Sequence, residues 1–132
     1  MSTNDDALRA GAAYVFRTSD GTQLAKITAA DAATGDMFGF SVAIEGSTVA
    51  IGARGDGSNA GAVYLYDTAT WTETAKLAAA DAAAGDLFGY SLSLSGAGLA
   101  VGAMGDDGAA GSVYLFRTDG TTWAQYDEVT SG

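Results

Sequence analysis

An all-β fold of short antiparallel strands is predicted by three observations: a fifty-residue internal repeat, a period of two inside it, and a composition rich in glycine and free of proline. GDMFGFS begins at Gly35 and GDLFGYS at Gly85; GAAYVFRT, GAVYLYDT and GSVYLFRT begin at Gly11, Gly61 and Gly111; AKITAADAATGD from Ala25 matches AKLAAADAAAGD from Ala75. Each offset is fifty residues, until Trp71 and Trp123, whose separation of 52 marks a two-residue insertion in the last loop. Such self-similarity is the primary signature of a repeat architecture. Nineteen glycines with no proline suit tight turns between strands whose amides are all needed for pairing.

The elements follow from one repeat. Phe40, Val42 and Ile44 alternate with Ser41 and Ala43, and Tyr90, Leu92 and Leu94 alternate with serines, giving a half-polar first strand. A Gly-bearing turn (Glu45-Gly46-Ser47, Ser95-Gly96-Ala97) leads to TVAIGA or GLAVGA, the second strand. Its large residues (Val49, Ile51; Leu99, Val101) share one face, and its small ones (Ala50, Gly52; Ala100, Gly102) leave the other open to close approach by another sheet. The third strand, AVYLY or SVYLF, is apolar throughout and reads as buried on both faces. A less regular fourth strand contains Thr74–Leu77, with Gln23–Ile27 as its earlier equivalent. Strands are thus expected near Ala12–Arg17, Gln23–Ala29, Phe40–Glu45, Thr48–Ala53, Ala62–Asp67, Thr74–Leu77, Tyr90–Ser95, Gly98–Ala103, Ser112–Arg117 and Trp123–Val129. Four short strands per unit and a period near fifty point to β-propeller-like, four-stranded antiparallel blades, about two and a half per chain. Their expected bounds are a half blade over 1–30 and full blades over 31–80 and 81–132. The alanine-rich AKLAAADAAAGD lacks an apolar stripe at helical spacing and is compatible with one helical turn at most.

Composition excludes whole classes of chemistry. Histidine and cysteine are absent, which removes Ser-His-Asp and Cys-His nucleophile systems, zinc held by His or Cys, iron–sulfur clusters and disulfides. Six Lys and Arg against 16 Asp and Glu give a formal charge of −10, so a phosphate backbone and an anionic membrane surface are both repelled. Neither nucleic-acid binding nor membrane insertion is expected. No apolar run is long enough to span a bilayer, and the opening MSTNDDALRAG lacks the basic-then-apolar order of a signal peptide.

The motifs D-x-x-x-G-D-x-F-G-x-S (Asp31 to Ser41, Asp81 to Ser91), V/L-A-I/V-G-A and G-A/S-V-Y-L-Y/F together resemble the FG-GAP repeat. That repeat builds the propeller of integrin α-subunits and occurs in bacterial and archaeal surface proteins. The Phe-Gly element falls on Phe38-Gly39 and Phe88-Gly89, and Gly-Ala-Pro on Gly52-Ala53 and Gly102-Ala103, with Arg54 and Met104 where Pro would stand. The resemblance implies a non-enzymatic interaction or adhesion module, extracellular or at the cell surface, whose partner is another surface protein or a polysaccharide. Integrin-type blades that bind calcium carry an Asp-rich loop between their first and second strands. The three-residue connections here are too short to supply six to eight oxygen ligands, so that loop does not carry over.

Thirteen of the 16 acids are Asp, a turn former and hard-cation ligand. Asp31, Asp36, Asp56, Asp81, Asp86, Asp106 and Asp107 recur at repeat positions and are the candidate Ca²⁺ ligands. The better reading is that they cap turn amides; no cofactor is required, and calcium is not essential for folding. A general acid–base pair needs a cleft that separates two carboxyl pKa values, which repeated turn acids do not provide. Arg54-Gly55-Asp56 spells a tripeptide that animal integrins recognise, but Met104-Gly105-Asp106 is its repeat partner, and the match reads as loop composition. Trp71 and Trp123 are the candidate ligand-binding residues, as sugar-stacking aromatics of a lectin-like segment; the better reading is that each covers the outer end of a blade.

Propellers close with roughly four to eight blades, so two and a half leave faces carrying Val49, Ile51, Leu99 and Val101, and the edge of the Gly11–Ala29 hairpin, open. The expected partner is another copy, head to tail, in a ring of about three or four chains or an open filament. The alternative is a fragment of a larger propeller whose remaining blades belong to the same polypeptide, with no independent function.

Overall fold

The computed structural model describes residues 2–3, 12–16, 20–27, 37–55, 60–80, 83–105, 111–120 and 122–130. Among the described residues eleven strands form three antiparallel sheets. The N-terminal sheet has the order β1 (Ser2–Thr3), β2 (Ala12–Phe16), β3 (Gln23–Ile27). The first blade is the meander β4 (Phe38–Glu45), β5 (Thr48–Ala53), β6 (Ala62–Asp67), β7 (Thr72–Leu77). The second blade repeats it with β8 (Phe88–Ser95), β9 (Gly98–Ala103), β10 (Ser112–Thr118) and β11 (Trp123–Thr130). Among the described residues there is no helix, and the alanine-rich stretch ends in a turn in which the Asp86 amide donates to the Ala83 carbonyl (3.2 Å).

Several elements differ from expectation, among them the fourth strand of the first blade, which begins at Thr72 rather than Thr74. Arg17, Thr28 and Ala29, expected at the ends of the first two strands, lie outside the described residues. The first strand of each blade starts at the Phe-Gly pair rather than at Phe40 or Tyr90. A bulge between Phe38 and Ser41, repeated between Phe88 and Ser91, lets the chain pass through a left-handed glycine (Gly39 φ 87°, Gly89 φ 91°) and still pair Phe38 with Ala53 and Phe88 with Ala103. The N-terminal sheet is not a bare hairpin: β1 pairs Ser2 with Ala13 and Thr3 with Ala12, covering part of the edge of β2.

The sheets stack face to face around two cores. One joins the N-terminal sheet to the first blade: Ile27 packs with Phe38, Val49, Ile51, Tyr64 and Tyr66. The other joins the two blades: Val63, Leu65 and Leu77 meet Phe88, Leu99, Val101, Tyr114 and Phe116. Each such side chain contributes about 1.5–3 kcal/mol by leaving water. Val49, Ile51, Leu99 and Val101, expected on open faces, are therefore buried. Their large-residue face looks toward the preceding sheet in the chain, and that sheet is present for both blades. Two-sided burial of the third strand holds for β6, buried from Ala62 to Tyr66, but not for β10, where burial alternates. The second blade has a covered front and an uncovered back.

Candidate functional site

The repeat motif converges on the joint between the two blades. Phe88 and Gly89 act in opposite directions there. The Phe88 ring turns into its own blade, edge-on to Tyr114 (5.5 Å) and Phe116 (5.8 Å), as Phe38 does against Tyr64 (5.3 Å) and Tyr66 (6.2 Å). Gly89 turns its backbone onto the first blade, where a side chain at this position would lie 2.7 Å from the Ala62 carbonyl oxygen. Across the joint the Phe88 amide donates to the Ala60 carbonyl (2.9 Å), and the Ser41 hydroxyl donates to the Gly89 carbonyl (2.6 Å). Gly52 lies directly beneath; a Cβ there would occupy the space of the Gly89 carbonyl oxygen and the Ser41 hydroxyl. Gly61, at φ 93°, forms a parallel bridge with Phe88. At the periphery the Ala80 amide donates to the Gln125 side-chain oxygen (3.0 Å).

Arg54 enters the same joint. Its guanidinium lies 4.3 Å from the Phe40 ring centre and 5.7 Å from that of Tyr90, and those two rings, one from each blade, are 5.1 Å apart. The buried Nε finds no hydrogen-bond partner among the described residues. In the Arg54-Gly55-Asp56 sequence, then, Arg54 is half-buried between aromatic rings and Gly55 is buried. Its repeat partner Met104 is half-exposed.

Of the candidate calcium ligands, Asp31, Asp36, Asp56, Asp81, Asp106 and Asp107 lie outside the described residues. Asp86 is buried, and its carboxylate accepts the Ala83 amide (2.8 Å) while its carbonyl accepts the Gly105 amide (2.9 Å). Among the described residues no group of three or more acidic side chains is placed to hold a metal.

The two tryptophans do not share a site. Trp71, at φ 56°, packs on the core between the N-terminal sheet and the first blade, whereas Trp123 packs on the core between the blades. Trp123 also lines an open groove of about 320 Å³ with Tyr66, Asp67, Thr48 and Thr118. Sequence reasoning missed the roles of Ser41, Gly89 and Arg54 in the joint. Ser41 and Ser91 share the repeat position three residues past Phe-Gly's phenylalanine, a signal that was present; Arg54 breaks the repeat and gave none.

Four-stranded meanders stacked through a bulged Phe-Gly and a side-chain-free Gly define a β-propeller-type repeat module. The model of the FG-GAP repeat matches residues 22–66 and 71–116, and the chain belongs to that family. No curated protein matches it in sequence.

Proposed function

We propose that this chain is a non-enzymatic interaction module of an extracellular prokaryotic protein, using its loops to hold a surface protein or polysaccharide and its sheet faces to stack with further blades of its own kind. The observation that carries this reading is where the motif residues go. Phe38, Phe88, Gly52 and Gly89 are all spent on packing within and between blades, and the described acid of the repeat, Asp86, secures a turn. A lectin-like reading draws on one observation, the Trp123 groove with its neighbouring Tyr66 and Asp67, since aromatic faces beside polar groups suit sugar rings.

A glycan array followed by calorimetry separates the two. The interaction-module reading expects any saccharide binding to survive Trp71→Ala and Trp123→Ala, because both side chains support cores. Binding abolished by Trp123→Ala in a chain that remains folded would replace it with the lectin reading. Turnover of glycoside or ester substrates by the purified chain would overturn the non-enzymatic assignment.

A further inference from the structure

Two departures from the repeat meet in one groove. The third strand ends Phe16-Arg17-Thr18 and Phe116-Arg117-Thr118 in the outer copies, but Tyr66-Asp67-Thr68 in the middle one. The two-residue insertion falls between Thr118 and Trp123, in the loop from β10 to β11. Tyr66, Asp67 and Thr74 line one side of the groove of about 320 Å³, and Thr118 and Trp123 line the other. Both walls belong to four-stranded blades complete in this chain. The inserted loop is braced from within: the Thr122 amide donates to the Asp119 carboxylate (2.9 Å) and the Gly120 amide to the Thr118 hydroxyl (3.0 Å). Such a wall is formed before any ligand arrives, as small binding sites usually are.

Asp67 is the one charged side chain lining the groove. Its Oδ1 accepts the Ala69 amide (2.7 Å), and its other oxygen has no partner among the described residues. The hydroxyl protons of Thr74 and Thr118 are already donated to backbone, to the carbonyls of Leu65 (3.1 Å) and Thr122 (2.8 Å). The groove thus offers a negative charge, spare lone pairs and the side of a half-buried indole, but few protons. A sugar hydroxyl both donates and accepts, whereas a guanidinium only donates, and its plane stacks on aromatic faces. The second blade makes that kind of contact within one sheet. At the repeat position of Asp67 it carries Arg117, whose guanidinium lies 4.4 Å from the Tyr126 ring centre. Once the insertion is allowed for, Thr74 corresponds to Tyr126. The first blade therefore lacks both the cation and its ring, and supplies a carboxylate facing the ring of the next blade.

We propose that the groove between Asp67 and Trp123 is a docking site for an arginine side chain of a partner polypeptide, its guanidinium stacked on the indole and hydrogen-bonded to the Asp67 carboxylate. This rests on the reading of the chain as an interaction module. Charge complementarity acts at two ranges. A chain of formal charge −10 draws a basic partner from a distance, and the single carboxylate in the groove fixes where one cation settles. The indole then selects among cations, because a planar, weakly hydrated guanidinium stacks where a compact, strongly hydrated ammonium does not.

Nuclear magnetic resonance of the isotope-labelled chain tests the proposal at the Trp123 indole N–H, assigned by its loss in Trp123→Phe. The probes are Nα-acetyl-arginine amide, its uncharged counterpart Nα-acetyl-citrulline amide, and methyl α-glucoside. Each is titrated to about 50 mM at an ionic strength of about 0.15 M. The expected result is a saturable shift with the arginine probe alone, weakened at least about fivefold by Asp67→Asn. Asparagine keeps the size of Asp67 and can still accept the Ala69 amide, so the cooperative melt should be unchanged. Glu73→Gln, at an exposed position of β7 that does not line the groove, should leave binding as it was. Both variants take the formal charge from −10 to −9, so a purely long-range attraction would move them equally. Equal weakening in the two variants, an equal response to citrulline, or no saturable shift with arginine would overturn the proposal and leave the interaction-module reading to other loops. A saturable shift with the glucoside in place of arginine would overturn it as well, and would bring in the lectin reading.

Discussion

Gly52 and Gly102 occupy the same position in successive blades, and replacing each by alanine should have opposite consequences. Neither has left-handed backbone, so an added methyl is judged by space alone. At Gly52 the new Cβ would fall on the Gly89 carbonyl oxygen and the Ser41 hydroxyl, with the Gly89 carbonyl carbon 3.2 Å away. That oxygen belongs to backbone of the next blade and is already the acceptor of the Ser41 hydrogen bond (2.6 Å), so neither atom can move without opening the joint. Losing the bond costs about 1 kcal/mol, and overpacking by one methyl adds about 1–3 kcal/mol, giving about 2–4 kcal/mol. At Gly102 the close neighbour is the exposed Ser91 hydroxyl, which can rotate away, and the next atoms lie at 3.6 and 3.8 Å. There the reduced freedom of the unfolded chain offsets the contact, and the net change should stay within about 0.5 kcal/mol. Urea titrations followed by far-ultraviolet circular dichroism, at concentrations low enough to keep single chains, measure both. With a slope of about 2 kcal/mol per molar, Gly52→Ala should lower the midpoint by about 1–2 M and Gly102→Ala should barely shift it. Equal effects at the two glycines would refute the reasoning, because only the covering blade distinguishes them.

Arg54→Met, which installs the residue found at position 104, should cost less than about 1 kcal/mol: the ring contacts of a half-buried guanidinium are worth about 0.5–2 kcal/mol, and removing the unpartnered Nε offsets part of that. A loss above about 2 kcal/mol in a thermal melt would show that Arg54 does more than fill the space between Phe40 and Tyr90. Chelator should leave the melting temperature within about 2 °C, since the β4–β5 and β8–β9 connections are two-residue turns at Gly46-Ser47 and Gly96-Ala97 with no room for a cage of six to eight oxygens. A larger fall, reversed by Ca²⁺, would point to the repeated Asp positions.

The fold was legible because period-two alternation and fifty-residue spacing both survive in the sequence, and the second strands lie where TVAIGA and GLAVGA placed them. The starts of β4 and β8 were not. A bulge at Phe-Gly shifts the pairing by two residues between Phe38 and Ser41, which breaks the alternation at the point where the strand begins. Burial was legible only in part, for a different reason. Val63 and Val113 are the same residue in the same motif, yet one is buried and the other 41% exposed; the difference belongs to position in the stack, which a repeat cannot encode. The small face of β5, by contrast, announced a closely approaching sheet, and the Gly89 backbone is what approaches. The Arg54 contacts left no trace, because they depend on Phe40 and Tyr90 meeting across two blades at a site where the repeat itself departs from pattern.

The central claim is that the Phe-Gly element of one blade is bonded to the blade before it. Amide hydrogen exchange at Phe88 tests this most directly, because its N–H donates to Ala60 across the joint. The account expects the Phe88 amide to exchange as slowly as the interior amides of β6 and β9, through global unfolding. Exchange at Phe88 as fast as at the turn residues Gly96 and Ala97, with β6 and β9 still protected, would contradict it.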